Sequence, residues 1–116
     1  MKPLLPTLKE NKRYIAYEVM TAHPLQRDAS ADVVRQLSQV LGTFGMARAG
    51  ILSISYDEKT QSGVLRVATS QVGMVRAALL MTSYLGKQRV CMRTLGVSGI
   101  LRKTQRFVTY KLQQKE

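Results

Sequence analysis

An α+β sandwich, built as strand, helix, strand, strand, helix, strand with both helices on one face of a four-stranded antiparallel sheet, is the architecture the sequence predicts. Three observations carry it. Two stretches repeat apolar residues at the three-to-four spacing of a helix. Four others alternate apolar and polar residues as half-buried strands do. All six fall in that order within 116 residues, with no internal repeat or linker, a length that suits one domain.

Residues 1–11, with Pro3 and Pro6, form an extended arm. Residues 12–20 are the first strand: Ile15, Tyr17 and Val19 point one way, Tyr14, Ala16 and Glu18 the other. A loop over 21–29 holds His23-Pro24 and Asp28. The first helix spans 30–44, with Val33, Val34, Leu37, Val40, Leu41 and Phe44 as one apolar stripe. Ser30 or Asp28 can cap its start, and Gly42 and Gly45 mark its end. Residues 48–56 and 63–69 read as a strand pair joined by the polar turn from Asp57 to Gly63. Ser70 can cap a second helix over 71–85, closed by Gly86. Its apolar arc is wide, with Val72, Val75 and Leu79 as one stripe and Met74, Ala78, Met81 and Leu85 as an adjoining one, so the helix is either deeply packed or shared with a partner protein, for which the second stripe is the candidate contact. The fourth strand covers 87–95. Residues 100–112 fit a helix better than a strand, within a basic tail over 100–116. Two helices packed on one sheet face in this order give the ferredoxin-like layout, with the C-terminal tail added.

Charge is the strongest functional signal. The formal net charge is +11, with 18 basic and 7 acidic side chains. Residues 1–58 hold 7 basic and 6 acidic groups, whereas 59–115 hold 11 basic groups and no Asp or Glu. A regional excess of this kind is the electrostatic footprint of a polyanion binder. No stretch is long and apolar enough to span a membrane. The N-terminus does not read as a signal peptide, since prolines and charges interrupt it. One cysteine, Cys91, leaves no internal disulfide framework, which fits a reducing cytoplasmic setting.

Catalysis finds little support. His23 precedes a proline and has no second His or Cys at ligand spacing. Cys91, in a strand without a nearby base, reads as a buried, inert thiol. Asp57 and Glu58 suit turn chemistry. There is no phosphate-binding loop, zinc spacing or nucleophile elbow. No catalytic or metal-ligating residue is therefore assigned.

Nucleic-acid binding fares better, through phosphate and shape rather than base stacking. The third strand carries no aromatic, and Tyr17 belongs to the core. The candidate phosphate contacts are Lys12 and Arg13 at the first strand, Arg66 in the third, Lys87, Arg89 and Arg93 in the fourth, and Arg102, Lys103 and Arg106 in the tail. Arg89 and Arg93 are expected on one strand face, Arg102 and Arg106 on one helix side. Arginine's planar fork suits phosphate oxygens. Two Gly-x-x-Gly strings, at 42–45 and 96–99, mark turns more than RNA clamps, though the second can bring backbone N–H groups to a phosphate.

Several segments resemble the archaeal ribonuclease P protein component two family: Leu5-Pro6-Thr7-Leu8 with Lys12-Arg13-Tyr14-Ile15-Ala16-Tyr17, the turn from Asp57 to Gly63, Val75-Arg76-Ala77-Ala78-Leu79, and Arg93-Thr94-Leu95-Gly96-Val97-Ser98-Gly99-Ile100. The match runs in order over nearly the whole chain, departing at Phe107 to Glu116. The resemblance implies a ferredoxin-like subunit of the ribonucleoprotein that removes the 5′ leader of precursor tRNA. It also implies a catalytic ribonuclease P RNA that holds the Mg2+, and a component three protein partner in a two-plus-two heterotetramer. Lys12, Arg13, Arg93 and Arg102 fall on the family's basic motif positions. The competing readings are a basic protein-interaction module with an acidic partner, or a small phosphoryl or acyl hydrolase, for which the site residues are missing.

Overall fold

The computed structural model describes residues 11–115, and side chains as far as Val108. The expected arm over 1–11 lies, apart from Asn11, outside the described residues. Strand β1 (Lys12–Met20) takes the middle of the sheet, antiparallel to β3 (Ser62–Ala68) on one side and to β6 (Cys91–Ser98) on the other. Strand β2 (Leu52–Asp57) lies outside β3, giving the order β2-β3-β1-β6. A central strand is buried on both faces, and the run from Ile15 to Val19 is buried throughout, including Glu18.

Helices α1 (Ser30–Ala49) and α2 (Val72–Met81) cover one face, as expected. Val33, Leu37 and Ala49 from α1 and Val75, Ala78 and Leu79 from α2 share one core with Ile15, Tyr17, Val19, Leu65, Val67 and Met92 of the sheet. Each Val, Leu, Ile or Met among them, fully buried, contributes roughly 1.5–3 kcal/mol of transfer free energy.

The opposite face is covered too. Helix α3 (Leu101–Lys115) packs across β1, β3 and β6. Ala16, Val64 and Ala68 are buried there, outside the main core, together with Thr104 of the helix. The tail is thus a helix, and it closes the sheet face left open in the simplest ferredoxin-like packing. A bulge assists. Ala16 pairs with Gly96 but Tyr17 with Thr94, leaving Leu95 as the extra residue. Arg93 and Gly96, three apart, consequently point to the same outer face.

Local boundaries depart from the sequence expectation where backbone chemistry overrides periodicity. Gly42 does end the first helical run, at the non-helical φ 76° and ψ 177°, but a second run continues directly across this kink to Ala49, where left-handed Gly50 donates its N–H to Met46 O at 3.0 Å. The turn beyond the kink carries Phe44 into solvent, 79% exposed, while Leu41 and Met46 stay against the core. Asp28, rather than Ser30, serves the helix start: its Oδ1 accepts the Ser30 N–H at 2.9 Å. Ser70 caps nothing; it lies in a short 3₁₀ turn, Thr69–Gln71, ahead of α2. Helix α2 stops at Met81, four residues early, as the Thr82 hydroxyl donates to Ala78 O at 3.0 Å and Thr82 turns extended. A small hairpin follows, β4 (Tyr84–Leu85) with β5 (Gln88–Arg89), turned by left-handed Gly86 at φ 65°. The fourth sheet strand therefore starts at Cys91 rather than at residue 87.

Candidate nucleic-acid interface

The structure divides the nine predicted cations into groups. Arg66 shares the outer sheet face with Val64 and Ala68, level with Tyr14 of β1. It is half-buried, and its Nε is enclosed without a hydrogen-bond acceptor. Arg93 lies on the same face, opposite Glu18. Arg102, Lys103 and Arg106 are exposed on α3, which buries Thr104 toward that face. These five, the outer cluster, share one side of the sheet: Arg66 and Arg93 on its face, the other three on the exposed side of the helix that covers it. Among the described residues, ion pairs join Asp32 to Arg27 and Arg35, and Glu18 to Arg93. Four of the five cluster cations thus make no ion pair with a described carboxylate. The start of α3 adds to the field. Its first turn holds Arg102 and Lys103 and no acid, so the positive end of the helix dipole reinforces their charge.

Lys12 and Arg13 stand at one end of the sheet. The Lys12 ammonium approaches the C-terminal cap of α1: a Cβ built on Gly50 would lie 3.8 Å from Nζ. That is a favourable place for a cation at the negative end of a helix. Arg13 donates from Nη1 to Lys12 O at 3.0 Å, and its guanidinium lies against Gly99. Gly99 therefore adjoins a cation, whereas Gly96 is covered by Phe107, which removes the first glycine of the 96–99 string from any phosphate loop.

Lys87 and Arg89 belong elsewhere. Both are exposed on the β4–β5 hairpin, and Arg89 pairs with Tyr84, so the expected common strand face of Arg89 and Arg93 is not formed. The break lies at Val90, buried at 7% exposure, whose N–H donates to Ser83 O at 2.8 Å.

The candidate protein-contact face is also redistributed. Ala78 and Leu85 are core residues, at 1% and 0% exposure, so deep packing holds for them and partner contact does not. Met74 is half-buried, and Met81 is 67% exposed. Leu80 and Tyr84, missed in the sequence, are exposed beside Met81 where α2 gives way to the hairpin. Helical spacing alone placed Leu85 on α2, but the chain has already left the helix there.

Tyr17 and Tyr56 are held neutral. Burial, then the neighbouring Tyr56, raises the Tyr17 phenol well above its ordinary value; burial pushes Tyr56 up to about 12. Cys91 is exposed, correcting the expectation of a buried thiol: it opens the edge strand β6 on the outer face, paired with Met20 and no base. His23 is exposed in its loop, and its carbonyl accepts the Thr21 hydroxyl at 2.7 Å. A cleft of about 320 Å³ beside the β2–β3 turn is lined by Glu18, Glu58, Lys59 and Gln61 among others. With two carboxylates to one ammonium, it does not suit an anion. No helix among the described residues is long and apolar enough to cross a membrane.

Comparison with known proteins gives a consistent picture. The profile of the Rpp14/Pop5 family matches residues 13–109. Ribonuclease P protein component 2 of Thermococcus kodakarensis is 40% identical over 106 residues, covering 90% of this chain and 88% of that protein. The Pyrococcus abyssi protein of the same name is 35% identical, covering 91% of each. That of Methanosarcina mazei is 30% identical, covering 93% of each. A chain in the cryo-EM structure of yeast ribonuclease MRP superposes with a TM-score of 0.55 at 12% identity, over 92% of both chains, which is a likeness of fold.

Proposed function

The chain belongs to the Rpp14/Pop5 family, and from that premise we propose that it is a protein subunit of ribonuclease P which binds and stabilises the catalytic RNA for 5′-leader removal from precursor tRNA. The observation that carries the reading is the outer cluster of Arg66, Arg93, Arg102, Lys103 and Arg106, drawn from a half of the chain with 11 basic groups and no acid before Glu116. Helix α3 covers the sheet face on which ferredoxin-like RNA binders stack bases, so contact through phosphates is favoured over base readout. Lys12 and Arg13 extend the surface at one sheet end, and Lys87 and Arg89 give a second, smaller basic patch on the hairpin.

In this reading the chain does no chemistry. Cys91 faces Met20 rather than a base, and His23 stands alone in an exposed loop. Hydrolysis belongs to the RNA, with Mg2+ held by RNA phosphates that the protein's cations help to bring together. Reconstitution tests this. RNA and partner subunits should cleave precursor tRNA faster with the chain than without it, and the chain alone should cleave nothing. Cleavage by the purified chain, or no change on its omission, overturns the proposal.

The exposed apolar triplet Leu80, Met81 and Tyr84 supports a protein contact within the same particle. We assign it to the component three subunit, in a two-plus-two heterotetramer within the cytoplasm. Met81→Glu should then abolish co-elution with that subunit while RNA binding persists. The rival reading, a basic module with an acidic protein partner and no tRNA role, predicts purification with such a protein instead of RNA.

A further inference from the structure

We propose that Glu18 is a positioning residue for RNA: it grips one edge of the Arg93 guanidinium so that the terminal nitrogens are presented to a phosphate. The proposal rests on the ribonuclease P reading and assigns a role to an acid that simple charge counting would set against it.

The geometry is asymmetric. Arg93 donates from Nε to Glu18 Oε1 at 2.8 Å. The carboxylate side chain is 5% exposed, while Arg93 is 54% exposed. The pair joins register partners on β1 and β6, one step past the bulge at Leu95. A guanidinium is planar, so fixing Nε and the plane around it fixes the direction of both terminal nitrogens. Those nitrogens carry four of the five N–H donors, which suits a bidentate phosphate contact. An arginine held beforehand in its bound orientation loses less rotamer freedom on binding than a free one. Asp32, the other acid that forms ion pairs among the described residues, differs: it sits at the start of α1 between two exposed arginines, away from the outer sheet face. Glu18 instead spends a desolvated carboxylate inside the cationic outer face, where a bulk electrostatic view predicts that it weakens polyanion binding.

The two views differ in sign, which the test exploits. Affinity for a ribonuclease P RNA transcript is measured for the full chain with Glu18→Met, Glu18→Gln, Arg93→Gln and Arg93→Lys, with thermal melts to confirm folding. Glu18→Met removes both the charge and the acceptor; it should weaken binding about tenfold, the loss of one charge-assisted contact, although net charge rises. Glu18→Gln keeps an acceptor oxygen and should recover most of the affinity. Because Glu18 makes a further interaction beside the one with Arg93, Glu18→Met is also combined with Arg93→Gln, where it should add no further loss. Equal or tighter binding by Glu18→Met, or a loss that persists without Arg93, overturns the proposal. If Glu18→Met does not fold, Arg93→Lys decides: it should bind as weakly as Arg93→Gln, and wild-type affinity would sink the idea. A wild-type chain that leaves the transcript unbound instead rejects the underlying ribonuclease P reading.

Discussion

The ring of Phe107 lies directly over Gly96, so closely that a Cβ there would stand 2.6 Å from ring atoms Cδ2 and Cζ. Gly96 thus acts as the socket by which α3 seats on the outer sheet face. Gly96→Val should force the ring out at a cost of about 1–3 kcal/mol, the usual range for overpacking. Phe107 is 36% exposed, so Phe107→Ala should cost less than the ~3–5 kcal/mol of a fully buried ring. If the two residues form one contact, the double variant loses less than the sum of the singles. Denaturant melts with amide exchange over α3 measure all three, and strict additivity would dissolve the pairing.

Gln61 is a second joint, invisible to periodicity. It is a buried glutamine in the left-handed region, φ 53°, in the turn immediately before β3. Its Nε2 donates to Val19 O at 2.9 Å and Thr21 Oγ1 at 3.2 Å, and its Oε1 accepts the Leu25 N–H at 2.7 Å. One side chain therefore ties the end of β1 to the following loop. Gln61→Ala leaves Val19 O and the Leu25 N–H without these partners and should cost about 2–4 kcal/mol, summing unmade bonds to partly buried groups. Gln61→Gly relieves the positive φ but restores no bond, so it should be no more than about 1 kcal/mol better than Ala. Urea melts of the two variants separate the hydrogen bonds from the backbone.

The element order, the four sheet strands and the inward face of β1 were legible because alternation and helical spacing record burial directly. The rest depended on backbone events that side-chain patterns do not encode. The stripe of α1 correctly included Val33 and Leu37, yet the kink at Gly42 turned Phe44 outward. Leu85 fits a helical stripe as well as it fits a buried hairpin position, and only the Thr82 back-bond decides between them. The outer cluster was legible as composition but not as geometry. Arg89 and Arg93 look like strand neighbours until Val90 breaks the run, and the Leu95 bulge brings Arg93 onto the face of Gly96. Glu18 read as an ordinary outward residue, since nothing in the sequence announces a helix folding back over that face.

Asp32 predicts an acid dependence. Hydrogen bonding to Arg27, with Arg35 adding to it, holds its carboxyl below the ordinary carboxylate range despite some desolvation. A carboxyl lowered in the folded state contributes stability above its unfolded value, and that contribution is lost as pH falls through the folded value. Asp32→Asn should therefore destabilise the protein at neutral pH by about 1 kcal/mol, the scale of partly exposed pairs at a helix start. The difference from wild type should shrink as the pH falls and vanish in acid below the folded carboxyl's own value, where both carry a neutral group. Melts at the two pH values, repeated in high salt to screen the pairs, check it. A difference that survives in acid would mean the lost contact was packing rather than charge.

The two basic patches predict different salt behaviour. Counterion release makes the logarithm of affinity fall with the logarithm of salt concentration, by roughly 0.7–0.9 for each phosphate neutralised. If the five outer cations each meet a phosphate, they account for a slope of about −4. Reversing Arg102 and Arg106 to Glu removes two of them from an exposed helix face that α3 does not use for packing. The fold should persist, and the slope should flatten by at least ~1.4. The same reversal at Lys87 and Arg89 tests the hairpin, whose cations lie on a separate element from α3 and the outer sheet face. A small change in slope there, with a large one at α3, would localise the RNA to the outer face. Equal changes at both sites would mean that the RNA wraps the molecule, and the outer cluster would lose its special standing. Binding isotherms at four or five salt concentrations for each variant suffice to tell these outcomes apart.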